Sequence, residues 1–115
     1  MPYRQGEIVL VPFPFTDLSG NKRRPAIVVS NRSVNRSDDV ILAQLTSQPI
    51  GGSLGVTISN ADVTTSFKPP NDIMYIYCKK IAVIEKSLIE KTITTLSEAK
   101  MVELLEKISS MFEKD

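Results

Sequence analysis

The sequence predicts a mainly β fold, a small curved antiparallel sheet or barrel whose open side is covered by one carboxy-terminal helix. Two observations carry that expectation. Short runs of valine, isoleucine and leucine recur from residue 7 to residue 84, separated by proline, glycine, asparagine and serine. From Ser97 the apolar period changes. Met101, Leu104, Leu105, Ile108, Met111 and Phe112 then fall at i, i+3, i+4, i+7, i+10 and i+11, one face of a helix.

In chain order, Gly6 introduces Glu7-Ile8-Val9-Leu10-Val11, a strand by composition. Pro12-Phe13-Pro14-Phe15 withholds two backbone donors and reads as an edge, bulge or loop entry. Thr16 to Asn21 is turn chemistry leading into Lys22-Arg23-Arg24. A second strand is expected over Ala26–Ser30, with Pro25 at its mouth, and a polar stretch follows from Asn31 to Asp39. Val40 to Leu45 is nearly all apolar and reads as a central strand that ends in Thr46-Ser47-Gln48. Val56 to Ser59 alternates as a half-exposed strand does, and 60–72 is a second long loop. Ile73–Ile76 and Ile81–Ile84 form a further strand or bent pair, interrupted by Lys79-Lys80. Thr95 with Glu98, or Ser97 alone, supplies a helix N-cap.

The 115 residues allow one core and not two, so 1–115 is read as a single domain. The chain contains no histidine, which excludes His-based triads, His–metal motifs and paired-histidine ribonuclease chemistry. Its single cysteine, Cys78, leaves no internal disulfide and reads as a small core residue. No apolar run has the length of a membrane span and no signal-peptide pattern opens the chain, so the expectation is a cytoplasmic protein.

Net charge is only +1, so any affinity for an anion has to come from a local patch. Residues 1–80 hold nine Lys/Arg against six Asp/Glu, and 81–115 hold five against seven, which places that patch in the first part. Pro25 biases Arg24 towards extended backbone at the junction of a basic loop and a rigid strand. A guanidinium fork so held suits a phosphate better than a lysine would. If this strand and the one ending at Thr46 are antiparallel neighbours, Arg24 and Thr46 share one rim of the sheet. The plainer reading is that the cations solvate a loop and the hydroxyls bond local backbone.

The stretch GEIVLVPFPFTDLSGNKRRPAIVVSN, followed by VILAQLTSQ and IAVIEKSLIEKTITTLSEAKMVELLEKI, resembles the MazF/PemK family of toxin endoribonucleases over essentially its full length. The resemblance implies an SH3-like barrel with a carboxy-terminal helix and a homodimer. It also implies metal-independent, cofactor-free cleavage of single-stranded RNA through a 2′,3′-cyclic phosphate. A cognate antitoxin with an acidic tail would occupy the RNA groove. Carried over by position, the catalytic residues are Arg24 and Thr46, and the loop Phe13 to Arg23 borders the substrate. On this basis RNA contacts are expected from Asp17, Lys22, Arg23, Asn31, Arg32, Ser47, Gln48 and Lys79. Some relatives place an arginine and an acid where this chain has Tyr77 and Lys79. With no base visible at that position, Asp17 and Glu7 are the carboxylates to locate. Two other readings stand beside this one. A CcdB-type gyrase poison shares the fold but acts through a terminal tryptophan, which this chain lacks, and a non-catalytic barrel would bind RNA or a peptide and cut nothing.

Overall fold

A computed structural model describes residues 3–12, 23–67 and 72–115. Its strands are β1 (Glu7–Val11), β2 (Arg24–Val28), β3 (Asp39–Thr46), β4 (Gly55–Ser59), β5 (Ile73–Glu85) and β6 (Lys91–Thr95). A short helix α1 (Arg32–Asn35) follows β2, and α2 (Glu98–Ser110) closes the chain. All six strands join one sheet in the order β4-β5-β3-β2-β1-β6, every neighbouring pair antiparallel. The sheet curls until its edges meet. Val63, just past β4, bridges Leu96, just past β6, and the Thr64 and Thr65 amides donate to Thr95 O (3.0 Å) and Thr94 Oγ1 (2.8 Å). The expected antiparallel architecture with its terminal helix is the one that forms.

Side-chain alternation divides the core into two layers. Ile8, Ile27, Ala43, Leu45, Ile58, Ile76 and Cys78 face α2, which contributes Met101 and Leu104. Their neighbours Val9, Val11, Ala26, Val28, Val40 and Leu42 face the other way and make a second layer without helix residues. The helix starts where Ser97 Oγ accepts from the Lys100 amide (3.3 Å). It is pinned to the sheet by Lys107 Nζ donating to Gly55 O (2.9 Å). Because the helix stops at Ser110, Phe112 leaves the apolar stripe and stands 75% exposed.

The structure departs from the sequence reading at the second strand and in a sixth one, and between them it decides an alternative the sequence left open. The second strand begins at Arg24 itself and ends at Val28. The two apolar runs after residue 72 are one 13-residue strand, whose register with β3 jumps from Ala43↔Ile81 to Gln44↔Tyr77. Three residues, Cys78 to Lys80, bulge out of the ladder there. The sixth strand, Lys91–Thr95, carries only one fully buried side chain, Thr94, so hydrophobic periodicity gave no sign of it.

Candidate functional site

The register of the central strands assembles the site. β2 pairs with β3 as Ala26↔Gln44, and the next same-face positions along the two strands are Arg24 and Thr46. β3 pairs with β5 as Gln44↔Tyr77 and Thr46↔Tyr75. Across one end of the sheet run two rows, Arg24–Thr46–Tyr75 and Ala26–Gln44–Tyr77. Both continue the layer of Val28 and Leu42 outwards, at the point where it changes from apolar to polar.

A cleft of about 300 Å³ opens over these rows, lined by Gln44, Thr46, Gln48, Ile50, Tyr77 and Lys80 among others. The loop above it is seated by Ile50, which packs on Gly55 so closely that a Cβ there would lie 2.9 Å from the Ile50 Cβ. Lys80 Nζ sits 5.4 Å from the Tyr77 ring centroid, a cation held over an aromatic face. Among the described residues no carboxylate lines the cleft. Thr46 Oγ1 accepts from the Gln48 amide (3.1 Å), as in a local turn, and keeps its own proton to donate.

Two polar atoms at this end are sealed from solvent with no partner among the described residues, Arg24 Nε and Gln44 Oε1. Each such group costs roughly 1–3 kcal/mol when it is left unpaired. Native folds hold few of them, so each calls for a physical account. Arg24 is flanked on its other side by Val11, fully buried, so its stem is packed and its guanidinium is aimed by the fold.

Of the residues expected to contact RNA, Gln48 lines the cleft and Ser47 is exposed beside it without lining it. Lys79 is exposed and does not line the cleft. The bulge shifts the alternation of β5 by the extra residues, and Lys80 takes that place. Arg23 Nε is paired with Glu90 Oε2 at 2.7 Å. Asn31 and Arg32 lie at the far end of β2, in a different cleft. Asp17 and Lys22, with most of the loop Phe13 to Arg23, fall outside the described residues. Glu7, one of the two carboxylates sought, pairs with Thr95 at the end of β1 remote from the Val11↔Arg24 pair. It stands roughly 13 Å from that rim by strand rise.

Sequence reasoning passed over Gln44 and Tyr75, and it placed Lys80 near the cleft only beside Lys79, as part of a cationic patch. The signal for Tyr75 was present. Met74, Ile76 and Cys78 are buried on one face, which puts Tyr75 and Tyr77 on the other. Gln44 was hidden inside an apolar run, and the choice between Lys79 and Lys80 needed the bulge.

Chemically the rim offers a shaped cation, a hydroxyl, two phenols and a lysine, with no acid opposing them among the described residues. Such a set suits a phosphodiester, and aromatic rings there would offer bases a stacking surface. Among the described residues no group of three or more acidic or cysteine side chains gathers to hold a metal ion. None of the described helices is long and apolar enough to cross a membrane.

Residues 4–112 match a family model described as PemK-like, MazF-like toxin of type II toxin-antitoxin system. No curated protein sequence matches the chain. Solved structures do. A mycobacterial endoribonuclease in complex with its cognate antitoxin superposes with a TM-score of 0.76 at 19% identity, covering 98% of this chain and 99% of that one. The Mycobacterium tuberculosis toxin MazF-mt6 gives 0.73 at 18% identity, covering 95% and 98%. MazE-MazF from Deinococcus radiodurans gives 0.73 at 15% identity, covering 100% and 99%. At these identities the likeness is one of fold.

Proposed function

Since the chain belongs to the PemK-like, MazF-like toxins of type II toxin-antitoxin systems, we propose that it is a metal-independent endoribonuclease acting on single-stranded RNA in the cytoplasm, where it arrests translation and growth. One observation carries the reading. Arg24 and Thr46, on adjacent antiparallel strands, reach the same rim, and Arg24 Nε has no partner among the described residues.

In the reaction the ribose 2′-oxygen attacks the adjacent phosphorus and the bond to the 5′-oxygen breaks. The products are a 2′,3′-cyclic phosphate and a 5′-hydroxyl, and the proton lost from the 2′-hydroxyl is balanced by the one gained at the leaving oxygen. Arg24 stabilises the charge that builds on the phosphoryl oxygens, and Thr46 holds the phosphate through its hydroxyl. Tyr75 and Tyr77 support the flanking bases, with Lys80 over Tyr77 countering the next phosphate. Catalysis then rests on positioning and electrostatics. DNA, lacking the 2′-hydroxyl, is not cut.

The functional unit is a homodimer, bound when neutralised by an antitoxin whose acidic tail enters the same groove. Val83 and Leu88, 63% and 50% exposed, are apolar surface available for the subunit contact. Light scattering at micromolar concentration checks the dimer.

The test of the activity is a fluorogenic RNA time course in EDTA, run beside circular dichroism melts. Arg24→Ala is expected to lower cleavage on the order of 10²-fold or more, as loss of one oxyanion-type donor does. Arg24→Lys keeps the charge and loses the fork, so RNA binding survives while cleavage falls. A folded Arg24→Ala protein that cleaves normally removes Arg24 from the site. A parent protein that binds RNA and yields no product leaves a binding barrel.

A further inference from the structure

The cleft over Thr46 is not alone among the described residues, and a second one is larger. It has a volume of about 850 Å³ and lies at the opposite end of the same apolar layer, where Tyr3 packs on Val9, Val28 and their neighbours. Among the described residues four cations line it, namely Arg4, Arg32, Arg36 and Lys86, and no carboxylate does. In a chain of net charge +1 this is a marked concentration of positive charge. Among the described residues none of the four is in an ion pair.

The concavity is built by a buried network. Asn35, 3% exposed, donates from Nδ2 to Tyr3 O (3.2 Å) and Ser30 O (2.9 Å), which ties the amino-terminal segment to the end of β2. Its Oδ1 accepts from Ser30 Oγ, which in turn accepts from the Ile41 amide (2.9 Å). Gln5 Nε2 donates to Val29 O (2.8 Å), and the Lys86 amide donates to Asp38 O (2.8 Å). Arg32 and Arg36, four residues apart across α1, stand side by side on one wall.

We propose that this cleft is a second RNA-contact site, which holds the phosphodiester backbone of a single strand away from the point of cleavage. The inference rests on the endoribonuclease reading of the Arg24 rim. Three of the four cations are arginines, whose forks match phosphate oxygens. Asn31 lines the cleft with its amide nitrogen free of any partner among the described residues, a donor for base edges. None of the exposed large apolar side chains lines it, so a peptide partner would find no pocket for an apolar anchor. The four-residue step along β2 from Arg24 to Val28 spans about 13 Å, and Asn31 and Arg32 lie beyond it, so the two sites sit at opposite ends of the strand. A short RNA therefore occupies one of them and a long RNA both.

The experiment measures binding by fluorescence anisotropy in the Arg24→Ala protein, so that cleavage does not interfere. Adding Arg4→Ala, Arg36→Ala and Lys86→Ala is expected to weaken binding of a long polyuridine RNA about tenfold. The slope of log affinity against log salt should fall by about 2, as three single-strand phosphate contacts require. A triuridine, confined to the catalytic rim, should bind the two proteins alike. Equal affinity and equal salt slope for the long RNA overturn the proposal. So does a variant that loses polyglutamate binding and keeps RNA binding, which would make the cleft a site for an acidic protein. Photocrosslinking of a 4-thiouridine RNA to the Arg24→Ala protein gives a reading independent of how the variant folds. Adducts are expected in 3–5 and 31–36 as well as at the catalytic rim, and adducts at the rim alone refute the second site. If the parent cleaves no RNA while the long-RNA binding still depends on the three cations, the catalytic reading fails and the cleft survives it.

Discussion

Gln44 is the sharpest place to test the reasoning behind the site, because stability and function should move in opposite directions there. Its side chain is 5% exposed, and Oε1 is buried without a partner among the described residues. Leucine has nearly the same volume and no polar atom, so Gln44→Leu removes an unpaired acceptor and leaves no cavity. An unsatisfied buried polar group costs about 1–3 kcal/mol. Taking the lower half of that range, the variant gains roughly 1–2 kcal/mol. For a domain of this size that raises Tm by about 4–8 °C. The amide also lines the cleft proposed for the substrate, between Ala26 and Tyr77 in the ladder. Cleavage of single-stranded RNA should fall while the protein becomes harder to melt. The assay is a differential scanning calorimetry trace beside the fluorogenic time course. A Gln44→Leu protein that melts below the parent would refute the argument, because it would mean the amide is satisfied in solution and contributes to the fold.

Three further outcomes are expected. Leu104→Ala empties a fully buried position between α2 and the sheet and should cost about 2–5 kcal/mol, read by urea denaturation, with cleavage intact in the fraction still folded. Burial pushes the Cys78 thiol above its ordinary value of 9.0, with Lys107 opposing the shift. The folded chain then holds that proton when the unfolded chain releases it. The stability tied to the thiol is complete below pH 9.0 and is lost as pH rises towards the higher folded value, so Cys78→Ala should flatten the alkaline limb of a Tm-against-pH curve. The Arg23–Glu90 pair is exposed, 44% and 53%, and a double-mutant cycle on Tm should return less than about 1 kcal/mol of coupling.

Much of this protein could be read before any coordinates. The runs at 7–11, 40–45 and 56–59 are strands because one face of each is β-branched and apolar, and that is a local property. The terminal helix was equally plain, from its 3.6-residue period and the Ser97 cap. Arg24 stood out because a proline follows three cations at a strand mouth. Thr46 stood out as the first hydroxyl after an apolar run. Other features belong to no segment. That Arg24 and Thr46 share a rim depends on β2 and β3 being antiparallel neighbours, a pairing that the turn between them does not announce. Lys80 replaces Lys79 in the cleft because a bulge opposite Ala43 and Gln44 breaks the two-residue alternation, and only the ladder shows where it breaks. Asn31 and Arg32 belong to the far cleft because β2 is long enough to carry its two ends to opposite rims. Gln44 illustrates the limit most clearly. In the sequence it is one polar residue in an apolar run. Burial against partners distant in sequence leaves its carbonyl unpaired, and burial is decided by the whole sheet at once.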